Sequence, residues 1–235
     1  MNPSSPRAHI DHLVVAAASL AEGVAWCEAT LGVAPGPGGT HALFGTHNRL
    51  LRLHSAAHPQ AYLEIIAIDP VATPTRQPPL RRWFDLDDPV LRQRLRDAGP
   101  QLVHWVASVP DLDAACARLR ALGIERGPAI EASRPTPQGL LRWRISVRDD
   151  GQRLFGGALP TLIQWGDTHP AHHMADAGLD LHALRLQHPE ADRLRSALAA
   201  IGLDGVAVYT GPAGLQADLG TARGTCVCLT HTNAP

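Results

Sequence analysis

The chain has 235 residues, 45% of them hydrophobic, and a formal net charge of -1 from 21 Lys+Arg and 22 Asp+Glu. It is long enough for one or two cored domains, and its charges are mixed along the sequence rather than gathered into the basic stripe of a nucleic-acid binder. The first residues lack the apolar core of a secretory signal and no run approaches the roughly 18 to 20 apolar residues of a membrane span, so the expectation is a cytoplasmic protein that binds neither nucleic acid nor membrane.

Taken in chain order, HIDHLVV reads as a strand carrying His12, followed by a helix that opens at Ser19-Leu20 and closes at Leu31-Gly32. Short runs near HALFG, RLLRLH and YLEIIAI, the last holding Glu64, read as three further strands. The stretch after Asp69 is too rich in proline for a central strand or helix and reads as a linker, with a helix from about Asp87 to Ala98 before Gly99-Pro100. The plan then repeats. A strand with His104 leads to a helix from Asp111-Leu112 to Leu122-Gly123, and strands follow near ERGPAI, LLRWRISV and TLIQW, the last with Gln164.

A second linker, GDTHPAHHMADAG, contains His169, His172 and His173, which read as solvated loop histidines. After it a third copy begins at Leu181-His182, with Pro189 in an early helical position, a helix end at Ile201-Gly202, and strands near VAVY, LQADLG and TCVCLT. The fold class is therefore α+β, built from β-α-β-β-β modules: residues 8–69 and 101–167 joined through 70–100, and a looser module at 178–231. The cysteines Cys27, Cys116, Cys226 and Cys228 have no zinc or disulfide spacing and read as reduced, mostly buried thiols.

Four ligand-type side chains sit inside strand-like runs: His12, Glu64, His104 and Gln164. A polar group there is costly unless hydrogen-bonded or metal-bound, so the four suggest a common partner, although each histidine alone is more often a satisfied core residue. Strand alternation places Ile10, His12 and Val14 on one face, Leu102, His104 and Val106 on one face, Tyr62 with Glu64 and Ile66, and Leu162 with Gln164. His41, Thr46 and Asn48 lie beside glycines that allow a ligand close to the backbone, or simply close a turn. Arg134, before a hairpin, is placed to clamp a carboxylate or phosphate. His182 has no acidic partner in its module and reads as structural.

The opening HIDHLVV, the Gly38-Gly39-Thr40-His41 turn, Gly45-Thr46-His47-Asn48, YLEII, the second-module His104 with Asp111-Leu112, and IQW together resemble the vicinal oxygen chelate superfamily, in particular its glyoxalase-like branch, over most of residues 8 to 167. The resemblance implies two modules facing each other around a pseudo-twofold axis to form a cup. In that cup a divalent metal ion (Zn, Ni, Mn or Fe) would be held by His12, Glu64, His104 and Gln164. It further implies a lyase, isomerase or hydrolase that chelates two neighbouring oxygens of a small substrate, with Glu64 as base and His41, Thr46, Asn48 and Arg134 around the substrate. Gln164 stands where glyoxalase I usually has a glutamate and cannot act as a base near pH 7, which argues against glutathione-dependent glyoxalase activity. Two alternatives accompany this reading: a non-enzymatic ligand-binding or resistance-type module, and a non-haem iron dioxygenase using His12, His104 and Glu64. The third copy either completes a trimodular monomer or pairs with its equivalent in a homodimer.

Overall fold

A computed structural model describes residues 7–232. The first module runs β1 (His9–Ala16), α1 (Leu20–Leu31), β2 (Thr40–His41), β3 (Thr46–Arg52) and β4 (Tyr62–Ile68). After α2 (Pro89–Ala98), the second runs β5 (Gln101–Ser108), α3 (Leu112–Ala121), β6 (Ala129–Thr136), β7 (Gly139–Ser146) and β8 (Thr161–Trp165). The third comprises β9 (Asp180–His188), α4 (Ala191–Ala200), β10 (Ala207–Thr210), β11 (Gly214–Gly220) and β12 (Cys226–Thr232).

The caps read from sequence form. Ser19 accepts from the Glu22 amide at 3.2 Å and Asp111 from the Ala114 amide at 2.9 Å, each typically worth about 1 kcal/mol. Gly32, at φ 74, ends α1 in the left-handed conformation that glycine adopts without strain. At the third helix the expectation of an early helical proline fails: Pro189 precedes the helix, and the ring of His188 accepts from the Glu190 amide.

The first two modules join in one eight-stranded sheet of order β2-β3-β4-β1-β5-β8-β7-β6, so β1 and β5 meet antiparallel at its centre. The register reveals the pseudo-twofold axis. His12 faces Val106 and Val14 faces His104, and the shift that carries Leu20 of α1 onto Leu112 of α3 exchanges these two pairs.

The third module keeps the element order but not the sheet order. Its strands run β10-β9-β11-β12, with β9 parallel to β10, whereas β1 and β5 run parallel to the last strands of their modules, β4 and β8. This small sheet covers the convex side of the large one. Leu184, Leu186, Leu194 and Leu215 join Leu13, Leu63, Trp105 and Leu162 in a single buried cluster, and His54 bridges to Asp180 at the sheet edge. A second apolar cluster fills the concave side, where the proline-rich linker is more than a spacer: Trp83, Phe84 and Leu86, with Leu91 and Leu95 of α2, pack onto Val14, Ile66 and Val106. Cys27 and Cys116 are buried, but Cys226 and Cys228 are exposed, against the expectation for the latter two. Among the described residues no helix is long and apolar enough to cross a membrane.

Candidate active site

Strict alternation would put Asp11 and His12 on opposite faces of β1. The ladder shows otherwise, since Ile10 faces Ala107 and His12 faces Val106, leaving Asp11 as an extra residue in a β-bulge. Ile10 therefore packs with Leu13 on the convex side while Val14 belongs to the concave cluster, correcting the expectation that Ile10, His12 and Val14 share a face. A second irregularity at Val103 likewise separates Leu102, on the convex side, from Val106.

The bulge brings Asp11 and His12 together. His12 Nδ1 donates to Asp11 Oδ1 at 2.6 Å, while Asp11 Oδ2 accepts from Trp165 Nε1 at 2.7 Å and from His169 Nε2 at 3.1 Å. Asp11 is fully buried, and burial alone would raise its pKa; the hydrogen bonds from His12 and His169 and the pull of both rings outweigh it and hold the carboxyl well below its ordinary range. An ionised Asp11 holds a hydrogen of His12 on Nδ1 and leaves Nε2 turned toward Glu64. That atom lies 3.6 Å from Glu64 Oε2, longer than a hydrogen bond, so neither group saturates the other. The His12 ring stacks on Tyr62 with centroids 4.5 Å apart.

Glu64, also buried, is steered by its other oxygen: Asn48 Nδ2 donates to Oε1 at 2.6 Å. Asn48 is fixed in turn, its Oδ1 accepting from the Gly39 amide at 2.8 Å and from Arg134 Nη1 at 3.5 Å. The paired glycines make this approach feasible. A Cβ on Gly38 would fall 2.0 Å from the Asn48 carbonyl oxygen, and one on Gly39 would fall 2.3 Å from the Arg134 guanidinium. His41 donates through Nδ1 to Thr46 Oγ1 at 3.0 Å and sets its ring edge on Trp83. Burial, reinforced by the neighbouring charges of Arg134 and His12, pushes its pKa down to about 3, so it stays neutral. Thr46 thus supports His41 from beneath, whereas His41, Asn48 and Arg134 line the cavity with His12 and Glu64.

The second module is different. The axis that exchanges His12 and His104 also carries the pair Val14 and Glu64 onto Val106 and Thr161, so the position equivalent to Glu64 is Thr161 and not Gln164. The contacts agree: His104 Nε2 lies 3.0 Å from Thr161 Oγ1 and accepts from the Thr161 amide at 3.1 Å, while Nδ1 donates to the Gly157 carbonyl at 3.1 Å. With both nitrogens engaged and burial lowering its pKa well below the histidine range, His104 is a neutral structural residue. Gln164 points to the convex side with Leu162, where its Oε1 accepts from the Leu112 amide at 3.0 Å and anchors α3.

A divalent ion in the expected four-ligand cup does not fit this donor set. Two of its four groups are bonded elsewhere, and among the described residues no three His, Cys, Asp or Glu side chains converge as a metal site. The structure brings together His12, Glu64, His41, Asn48 and Arg134 and leaves out His104 and Gln164. It also adds two groups that sequence reasoning missed. Asp11 was readable as an acid beside His12, but only the bulge makes the pair; His169, assigned to solvent, is buried and ends in the same carboxylate. His172 and His173 remain exposed, as does His182.

The cavity is in two parts. The inner one, about 30 Å³, lies over His12 and Glu64 between Trp83, Phe84 and Trp143 and holds one or two water-sized groups. The outer one, about 380 Å³, opens beyond it, and Leu50, Arg134, Leu141 and Pro170 line both.

A hypothetical protein from Staphylococcus aureus is similar in fold, with 12% identity, a TM-score of 0.59, and matched regions covering 96% of this chain and 88% of that one. Methylmalonyl-CoA epimerase from Mycobacterium tuberculosis matches at 20% identity and a TM-score of 0.38 over 66% of this chain and 85% of its own. A hypothetical protein from Bacillus halodurans matches at 10% identity and a TM-score of 0.38 over 69% and 96%. No curated protein matches the chain. The family model described as Glyoxalase-like domain matches residues 10–202, the first two modules and the third as far as its helix, and the chain belongs to that family, as its motifs indicated.

Proposed function

We propose that this protein is an enzyme of the isomerase or lyase type that moves a proton on a small oxygenated substrate, using the His12 and Glu64 pair of the first module. The observation that carries the reading is the 3.6 Å separation of His12 Nε2 and Glu64 Oε2 in a buried cavity, each group held from behind by its own partner, Asp11 or Asn48, and each with an unsatisfied face. Glu64 takes the proton from a carbon next to a carbonyl, while Asn48 keeps its second oxygen in place. The electrons move onto the carbonyl oxygen, and His12, carrying a proton on Nε2 during turnover, donates to that oxygen as Asp11 compensates the imidazolium charge. Return of the proton to the same or a neighbouring carbon completes an isomerisation, and departure of a leaving group completes an elimination. The small inner cavity excludes bulk water from these steps.

A panel of small 2-oxo acids and 2-hydroxy carbonyl compounds incubated in D2O tests this by proton NMR. Wild type is expected to speed deuterium entry beside the carbonyl for at least one class, and Glu64→Gln to lose that acceleration; equal exchange in both proteins overturns the role of Glu64. A second reading, a module that only binds a ligand, draws on the apolar lining of the outer chamber, and predicts binding with no exchange on any substrate.

A further inference from the structure

The outer chamber says more about the substrate than the reacting pair does. Only a slender group enters the inner cavity, so the bulk of any ligand must lie in the outer one, whose volume of about 380 Å³ sits at the small-metabolite end of ligand pockets. Val33, Leu50, Leu51, Leu140, Leu141 and Met174 are among its apolar walls. Its ionic groups are few. Arg52 is engaged by the carbonyls of Ala171 and Pro59, and Asp176 by the Gly178 amide.

Arg134 is the exception. It stands at the collar between the chambers with no carboxylate within 4 Å among the described residues, and its one side-chain hydrogen bond there is the long 3.5 Å approach to Asn48. Gly39 leaves room for its guanidinium, and its strand partner Leu141 lines the same collar. A half-buried guanidinium with open donors beside an apolar chamber is suited to bidentate recognition of a carboxylate.

We infer that the substrate is a carboxylate with an apolar body, its carboxylate seated on Arg134 at the collar, its body in the outer chamber and its reacting carbon beyond the collar at Glu64. This rests on the proposed role of the His12 and Glu64 pair only for the position of the reacting carbon. Arg134 is accordingly the specificity-determining residue, and Asn48 links it to the base through hydrogen bonds on either side.

Calorimetric binding of 4-phenylbutanoate, 4-phenylbutan-1-ol and acetate tests the inference without turnover. The phenyl acid is expected to bind wild type roughly tenfold to a hundredfold more tightly than the alcohol, the difference a charge-assisted hydrogen bond makes, with acetate weaker still. Arg134→Met should erase the preference for acid over alcohol, and Arg134→Lys should keep part of it. The chain has two methionines, Met1 and Met174, so a shift of the Met174 methyl signal on adding the acid locates it in the chamber. Equal affinity for acid and alcohol in wild type overturns the inference, as does an unchanged acid affinity in Arg134→Met, failure of the acid to bind, or binding without a Met174 shift. Glu64→Gln separates the two readings: retained turnover in that variant overturns the proton-transfer role and leaves the binding result standing.

Discussion

The two halves of the central sheet carry a histidine at equivalent points about the pseudo-twofold axis and surround it differently. His12 has one nitrogen held by Asp11 and the other open toward Glu64. His104 has both nitrogens closed, by Gly157 and Thr161, and Phe84 lies against its ring with centroids 5.3 Å apart. The same backbone position thus yields a histidine open on one side in one module and a closed core histidine in the other. What decides it is whether the facing strand offers a carboxylate that does not saturate the ring, or a hydroxyl and an amide that do. Duplication supplies placement; the partners supply chemistry.

The comparison can be broken by substitution, beginning where the effect should be largest. Asp11→Ala leaves the donors of His12, Trp165 and His169 without their common acceptor and should cost about 3–5 kcal/mol of stability, read by urea denaturation. A loss under 1 kcal/mol contradicts the network. Glu64→Gln should lower turnover about 10²- to 10⁴-fold, the usual worth of a positioned base, with an unchanged denaturation midpoint.

Acid sharpens the comparison from the other side. His41 and His104 are both held neutral in the folded protein, the former to about pH 3, whereas in the unfolded chain they gain protons below about 6.5. The unfolded state binds more protons in that window, so stability should fall as pH drops from 6.5 toward 3, with a slope of up to about 1.4 kcal/mol per pH unit from each ring. Asp11 adds to the loss below about pH 4, because its folded pKa lies under that of the unfolded carboxyl. His104→Leu should remove part of the histidine slope, and a stability curve flat from pH 7 to 4 would contradict the burial of both rings.

Smaller effects separate structural from reacting groups. His104→Leu strands the Gly157 carbonyl and the Thr161 amide and should cost about 1–3 kcal/mol, with little effect on turnover of the folded fraction. Gln164→Ala removes only the acceptor of the Leu112 amide at the start of α3, a loss of about 1 kcal/mol by thermal unfolding.

The repeated module was legible in the sequence because its signals are local. Ser19, Asp111, Gly32 and Gly123 announce helix ends whatever surrounds them, and His12, Glu64, His41 and Asn48 of the first module, with Arg134 of the second, lie in strands those signals delimit. Register is not local. A bulge at Asp11 changes no residue type, yet it turns a strand neighbour into the partner of His12. The shift from Thr161 to Gln164 arose in the same way: the amide in IQW has a ligand's chemistry, but only pairing with β5 shows which residue of β8 corresponds to Glu64. His169 was hidden by its linker, a short 3-10 turn that its own Nδ1 holds by accepting from the Ala171 amide. The third module shows the same limit, since its element order repeats that of the other two while its strand neighbours differ.

The most direct test of the His12 and Glu64 pair compares Glu64→Gln with Thr161→Val, two near-isosteric changes at pseudo-equivalent positions, in the D2O exchange assay on whichever 2-oxo or 2-hydroxy compound wild type turns over. Glu64→Gln is predicted to abolish exchange and Thr161→Val to preserve it in folded protein. Exchange that survives in Glu64→Gln, or that disappears in a folded Thr161→Val, would contradict the assignment of the chemistry to the first module.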